Sequence, residues 1–497
     1  MQKFDVAIIG SGLGGLVCGY ILSKEGYNVC IIEKNKQIGG CLQVFERNKC
    51  IFDTGMHYIG SMEEGQILHR FFKYFNLIDK LKIKKMDVNG FDVINFQGVD
   101  YKYAMGYENF IKTLINYFPA EKEGIIKYCN KLREISNNLN LYNLREVKTD
   151  NIIDTQYITE STGDFIKSVT TNKILQNVLA GTNSLYAGEP DKSPLYMHAL
   201  INNFFIESAW RFVDGSAQLA DLLAQSIIQN GGTILTNSKV EKLVCDNTEI
   251  RYAQLSNSEK IEAKNFISDV HPVVTLEMVE SDIIKKVYRN RINNLENTLS
   301  TFSVYIVLKE NTFKYLNYNY YYCKGDTAWL TSTYSNNIWP QGYMLFTPTS
   351  SKSDLFAENM TVLAYMKMDE LKKWENTSVE KRGDEYKEFK HKKAEQLISL
   401  VEKQFPQIRN CIKTYYTSTP LTYRDYTGTK DGSMYGFLKD CKEPIKTYIP
   451  PKTKIPNLYL TGQNINLHGI LGVTIGSLLT CGEFVGLNYL IRKINNA

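Results

Sequence analysis

The sequence predicts an α/β chain, α+β overall, in which a Rossmann-like domain assembled from separated segments carries an inserted, mixed α+β domain. Three observations predict it. The chain opens with a β-rich apolar run, a glycine turn, an apolar helix and a second β-rich run. Around Gly231-Gly232 and again after Leu458, short apolar strands alternate with glycine-marked helices. Between these pieces lie two long stretches, about 76–209 and about 276–449, that hold most of the Tyr and Asn.

Taken in order, Phe4 to Ile9 reads as a strand, Gly10 to Gly15 as a turn, Leu16 to Glu25 as a helix and Asn28 to Glu33 as a buried strand. Ser216 to Gln229 places Leu219, Leu222, Leu223 and Ile227 at helical spacing, and Asn230-Gly231-Gly232 stops it before a strand over Thr233 to Thr236. Lys239 to Val244 and Ala263 to Val270 add short strands. Asp369 to Gln404 is a charged helical region whose Glu and Lys recur three or four apart, the pattern of a solvated face. Leu458 to Thr461 is strand-like. Ile470 to Ile491 is one apolar helix, about twenty residues and so long enough to cross a bilayer. Glu483, Asn488 and the glycines at 472, 476, 482 and 486 suit close packing instead, so it reads as a buried helix. Residues 1–75, 210–275 and 450–497 then form one domain, and 76–209 with 276–449 form the other.

At 497 residues, 43% apolar and 22% charged, the chain falls outside the collagen-like, coiled-coil and disordered classes. The 58 basic against 53 acidic residues leave +5, too small an excess for nucleic-acid binding to be the default. The 10 cysteines show neither a CxxC pair nor zinc spacing, which points to a reducing compartment. The apolar run at the start is too short for a secretory segment. A cytoplasmic location is expected, and Leu195 to Trp210 reads either as a tunnel mouth in peripheral contact with a membrane surface or as a segment buried in the inserted domain. His69, His198, His271 and His391 stand apart from acidic and cysteine partners, so no metal is expected.

The sharpest local signal is Gly10-Ser11-Gly12-Leu13-Gly14-Gly15 between strand and helix, with Glu33 ending the next strand. Gly10 allows the tight turn, Gly12 lets backbone approach a pyrophosphate, and Gly15 lets helix pack on strand. The pyrophosphate would sit on the positive end of the helix. Glu33, about twenty residues on, would accept from ribose hydroxyls, and its charge argues against a 2′-phosphate there. After Glu33 come Lys34, Gly39-Gly40-Cys41 and Gly55-Met56-His57, where glycines let backbone pass beside a planar ring system. Near the C-terminus, Gly462-Gln463 and Gly472-Val473 flank a helix start. Three separated segments converging on one long cofactor point to FAD.

The motifs then resemble a known group. Phe52 to Gly65, Asp214-Gly215-Ser216 with Leu219 and Leu222, Gly231-Gly232, Lys381-Arg382-Gly383 with Tyr386, Phe405-Pro406, Thr419-Pro420-Leu421-Thr422 with Tyr426 and Gly428, Tyr435-Gly436 and Leu460 to Gln463 are similar to blocks of the FAD-dependent phytoene desaturase, carotenoid isomerase and retinol saturase group. They span nearly the whole chain. Phe52 to Gly65 looks most like the retinol saturase branch, the all-trans-retinol 13,14-reductases. The resemblance implies a dinucleotide-binding domain of the glutathione-reductase type in an amine-oxidase/phytoene-desaturase-like architecture. It also implies adenine contacts from backbone near Val240, and a flavoenzyme acting on a conjugated or isoprenoid lipid. One departure stands out: where the group commonly carries an acid after Thr-Gly, this chain has Gln463-Asn464.

The chemistry implied is hydride delivery from a reduced flavin to an alkene carbon, with a proton reaching the neighbouring carbon. Tyr435, His57 and His468 are the candidate catalytic residues, with Tyr58 beside them. Each histidine can equally be a neutral imidazole bonded to backbone. Saturation of a retinoid- or carotenoid-like double bond leads; cis-trans isomerisation and desaturation need the same flavin above the same apolar tunnel. A non-catalytic prenyl or lipid binder on the same fold is the alternative of another class. With one dinucleotide fingerprint, NAD(P)H would serve only as a transient electron donor.

Overall fold

The computed structural model describes residues 3–147 and 155–497. The N-terminal run, apolar and rich in β-branched residues, forms the strand Lys3–Ile9, buried on both faces as a central parallel strand must be. It pairs in parallel with Val29–Ile32 on one side and Lys260–Ser268 on the other. The sheet order is Thr233–Leu235, Val29–Ile32, Lys3–Ile9, Lys260–Ser268, Ile250–Leu255, Val240–Cys245, and Leu458–Leu460 pairs with Lys260–Ser268. Strands from far apart in the chain thus meet in one sheet.

Helix Leu13–Lys24 packs against both Ala217–Gln229 and Gly469–Val485 on one face of this sheet. Val6, Ile8, Leu16, Ile21, Leu223 and Ile475 belong to the core between them. The expected single C-terminal helix is instead two, Gly469–Val485 and Leu487–Asn495, bent by 119°. Gly486 breaks it at φ 91°, a conformation an L side chain resists. Among the described residues no single helix is long and apolar enough to cross a membrane.

The second sheet runs Ile412–Ser418, Ser300–Leu308, Asn359–Met366, Gly342–Phe346, Asn319–Cys323, Asp92–Phe96, Val99–Tyr103. It takes strands from both long insertions. A small sheet of Ile59–Gly60, Ala209–Phe212 and Ile83–Lys85 joins the two regions, so one strand straddles the expected boundary at 209/210. The charged segment from Asp369 is helical in its regular α form only over Asp384–Glu402. A short 3₁₀ turn, Met368–Trp374, and a left-handed Gly383 at φ 77° precede it.

Several of the sequence blocks are joints between elements. Asp53 accepts from Ser216 N at 2.8 Å and Ser216 Oγ at 2.6 Å, so the Asp214-Gly215-Ser216 turn starts helix Ala217–Gln229 against the strand Cys50–Asp53. Thr419 and Thr422 close a capping box on Pro420–Thr427, Tyr386 bonds Thr419, and Arg382 pairs with Asp425. These residues hold the frame around the site.

Candidate active site

The glycine turn brings the N-terminus of Leu13–Lys24 up to the ends of two parallel strands, Lys3–Ile9 and Lys260–Ser268. A side chain at Gly15 would meet Gly10 O at 2.1 Å, and one at Gly14 would meet Gly462 backbone at 2.9 Å. Leu13, between them, is half-buried against the apolar core. Ser477 Oγ donates to Gly14 O at 3.2 Å, which fastens the C-terminal helix to this turn. Glu33 is buried and accepts from Ser11 N at 3.0 Å and Ser11 Oγ at 2.6 Å, so the acid also holds the turn's shape. Ser238 N donates to Glu33 O at 2.8 Å, which lays the approach to Val240 alongside the acid.

The turn packs closely on the glycines that follow: Gly39 bridges to Gly12, and an added Cβ on Gly40 would meet Gly12 Cα at 3.1 Å. Cys41 and Gly55 lie as close, an added Cβ on Gly55 reaching 3.0 Å from Cys41. Cys41 is exposed to solvent, yet burial and then Asp269 push its thiol up to about 11. Lys34 Nζ donates to Asp425 O at 2.8 Å. Asn464 Oδ1 accepts from Phe437 N at 3.0 Å, so it does not take up the role of the missing acid, while Gln463 is half-buried beside it.

Gly55 also lines an apolar chamber of about 110 Å³, together with Met56, His57, Tyr435, His468 and Gly472, with Phe204 and Phe205 among its walls. Val473 is buried one position further along the helix. All three catalytic candidates therefore meet in one place. The His57 ring stacks on Phe346 at 5.1 Å and Tyr58 stacks on Phe205 at 3.8 Å. Tyr435 and His468 lie 4.2 Å apart between ring centroids. Of the two readings of Leu195 to Trp210, the one at a membrane surface is corrected here. Phe204 and Ile206 are buried, and Phe205 packs on Tyr58.

As proton donors the two histidines fail on electrostatics. Burial, reinforced by Arg211, pushes His57 down to about 3, and burial pushes His468 down to about 4, so both are neutral at pH 7. His468 Nε2 donates to Leu185 O at 2.7 Å. Tyr435 OH donates to Ser184 O at 3.0 Å, and burial raises its phenol. His57 Nε2 is buried without a partner among the described residues.

Two buried acids escaped the sequence reading. Asp269 puts its carboxylate between the glycines, with Oδ2 2.5 Å from an ideal Cβ on Gly12 and Oδ1 2.4 Å from one on Gly14 and one on Gly462. Burial pushes it up to about 7. Asp92 accepts from Tyr58 OH at 3.2 Å and Asn319 Nδ2 at 2.8 Å, and burial raises it to about 7 as well. Asp92 is thus the acid next to the chamber wall that exchanges a proton near neutrality. Its only trace in the sequence is one polar residue in the apolar run Asp92–Phe96, too little to single it out.

The model of an NAD(P)-binding Rossmann-like domain matches residues 8–75, which include the glycine turn, Gly39-Gly40 and Gly55. The all-trans-retinol 13,14-reductase of Rattus norvegicus is 27% identical over 98% of this chain and 86% of its own length. The chloroplastic prolycopene isomerase of Daucus carota is 24% identical over 88% of this chain and 72% of its own. The chain is an oxidoreductase similar to these proteins over most of its length. Its architecture extends to the amine-oxidase type: a putrescine oxidase structure superposes with TM-score 0.64 over 100% of this chain and 99% of the other at 13% identity. At that identity the likeness is one of fold, and it carries the dinucleotide-binding domain and the mixed insertion together. Among the described residues no group of three His, Cys, Asp or Glu could hold a metal ion.

Proposed function

We propose that the chain is an FAD-dependent oxidoreductase that adds two hydrogens across a carbon–carbon double bond of a retinoid- or carotenoid-like polyene lipid. The observation that carries this reading is the aromatic, apolar chamber, which Gly55 joins to the row of close-approach glycines that follows the turn. The residues present fit FAD: close-approach glycines, an acid at the second strand's end, and an orphaned His57 Nε2. Bound along these glycines, FAD would supply hydride exchange with carbon.

The chain's own part is positioning and the proton. Amides at the start of Leu13–Lys24 hold the pyrophosphate, and the free lone pairs of Glu33 take the ribose hydroxyls. Tyr58, Phe205 and Phe346 wall a flat conjugated chain and keep water out. Asp92, through the hydroxyl of Tyr58, holds the proton that the second carbon needs.

Photoreduced holoprotein mixed without oxygen with all-trans-retinol is expected to reoxidise and to yield a product two hydrogens heavier. A product of unchanged mass would select isomerisation, which the likeness to prolycopene isomerase favours. No reoxidation by retinol or any carotenoid would overturn the reading.

Asp269 adds a pH dependence. Its carboxyl, raised to about 7, would lie beside an anionic pyrophosphate that raises it further. Binding then takes up a proton above the free protein's titration, so FAD affinity is expected to fall as pH rises through 7, by up to about tenfold per pH unit. In Asp269→Asn the profile should be flat. A flat profile in the parent protein would sink the prediction.

A further inference from the structure

Beside the apolar chamber lies a larger cavity of about 400 Å³, lined among others by Tyr142, Tyr196, Tyr448, Lys439, Asp440 and Asn466. The two spaces share Tyr142. Asn466 Nδ2 donates to Tyr142 OH at 2.8 Å, so this one bond stands at the partition between them. Residues Asn466 and Leu467 line one space and the other in succession, which makes the loop before the C-terminal helix the shared wall.

Lys439 is 9% exposed and lines the outer cavity. Its Nζ donates to Thr447 O at 3.3 Å and to Asn464 O at 3.2 Å, two long bonds to neutral carbonyls. That leaves the third donor free. Among the described residues no carboxylate lies within 4.0 Å of this ammonium. A buried cation without a counter-ion is costly, and proteins keep one where a ligand supplies the opposite charge. Its field reaches the inner chamber, where it helps to hold His468 neutral. Burial lowers Lys439 to about 8, which leaves it charged at neutral pH.

We propose that the lipid carries a carboxylate head, seated against Lys439 in the outer cavity, with its conjugated chain passing Tyr142 into the chamber between His57, Tyr435 and His468. This rests on the reading of the chain as a polyene-lipid oxidoreductase. A single carboxylate fits better than a phosphate. The half-buried Asp440 lines the same cavity, and its carboxylate would repel a doubly charged head.

The test compares all-trans-retinoate with all-trans-retinol on the FAD-loaded protein, reading Kd from the perturbed flavin spectrum and turnover from reoxidation of the photoreduced flavin. Retinoate is expected to bind at least about tenfold more tightly, and Lys439→Met should bring the ratio of the two Kd values towards one. If Lys439→Met does not fold, the comparison in the parent protein decides alone. Equal binding of the two, with reoxidation by retinol, overturns the anionic head and leaves the polyene reading standing. If neither lipid binds or reoxidises the flavin, both are overturned.

Discussion

Replacing Gly12 by alanine is expected to yield a folded protein that does not retain FAD, with affinity lowered by about a hundredfold or more, or about 2.7 kcal/mol. The cause is a single methyl group. An ideal Cβ at this position lies 2.5 Å from Asp269 Oδ2, inside any permitted contact, and it faces the seat where the turn's amides would meet a pyrophosphate. The fold tolerates the change, because the clash is with one side chain and Gly12 has an ordinary extended conformation at φ −61°. Gly325→Ala serves as the control, since nothing lies within 4 Å of a Cβ there. The measurement is flavin absorbance after reconstitution, beside a far-ultraviolet spectrum. A Gly12→Ala Kd within about tenfold of the parent would mean that the turn does not hold the cofactor.

Arg211→Met is expected to be the most destabilising single change outside the glycine turn, at about 3–5 kcal/mol. Arg211 is among the largest fully buried side chains. It sits on the strand Ala209–Phe212 and donates to Leu316 O at 2.7 Å, Thr347 O at 2.8 Å and Asn319 Oδ1 at 2.8 Å in the second sheet region. One guanidinium thus ties the small connecting sheet to the substrate-side sheet. Methionine fills the space but strands the buried Thr347 carbonyl, at a cost of about 1–3 kcal/mol when left unpaired, and leaves Leu316 O with Thr347 Oγ1 alone. Arg211→Lys should recover little, because a point charge cannot fork across three acceptors. The effect should also reach the chamber. Asn319, which accepts from Arg211, donates in turn to Asp92, and Asp92 holds Tyr58. Denaturant midpoints decide the matter, and a loss under about 1 kcal/mol would contradict the stated role.

The opening unit was legible residue by residue. A strand, a glycine turn and a helix are local, and the spacing of Gly10, Gly12 and Gly15 states its own geometry. Glu33 was legible for the same reason, although its bond to Ser11 shows that it also stiffens the turn. Asp269 was not: it lies over two hundred residues beyond the glycines it touches, and only the parallel pairing of Lys3–Ile9 with Lys260–Ser268 brings them together. The joint role of Asp53 and Ser216 was hidden in the same way. His57 and His468 line one chamber with Tyr435, but their charge state depends on how much apolar matter surrounds them. No motif records that.

The sequence by itself determined the dinucleotide-type turn, the acid that follows it, the division of the chain into glycine-marked segments and aromatic insertions, and the kinship with polyene-acting enzymes. Those features rest on periodicity, glycine placement and short motifs, which act over one or two turns of chain. Tertiary structure alone decided which side chains share a cavity. It kinked the last helix at Gly486, turned Phe204 and Phe205 inward, neutralised His57 and His468, and left Lys439 beside a cavity without a counter-ion among the described residues. Each of these follows from burial and from contacts between distant segments, and neither quantity exists until the chain has closed on itself.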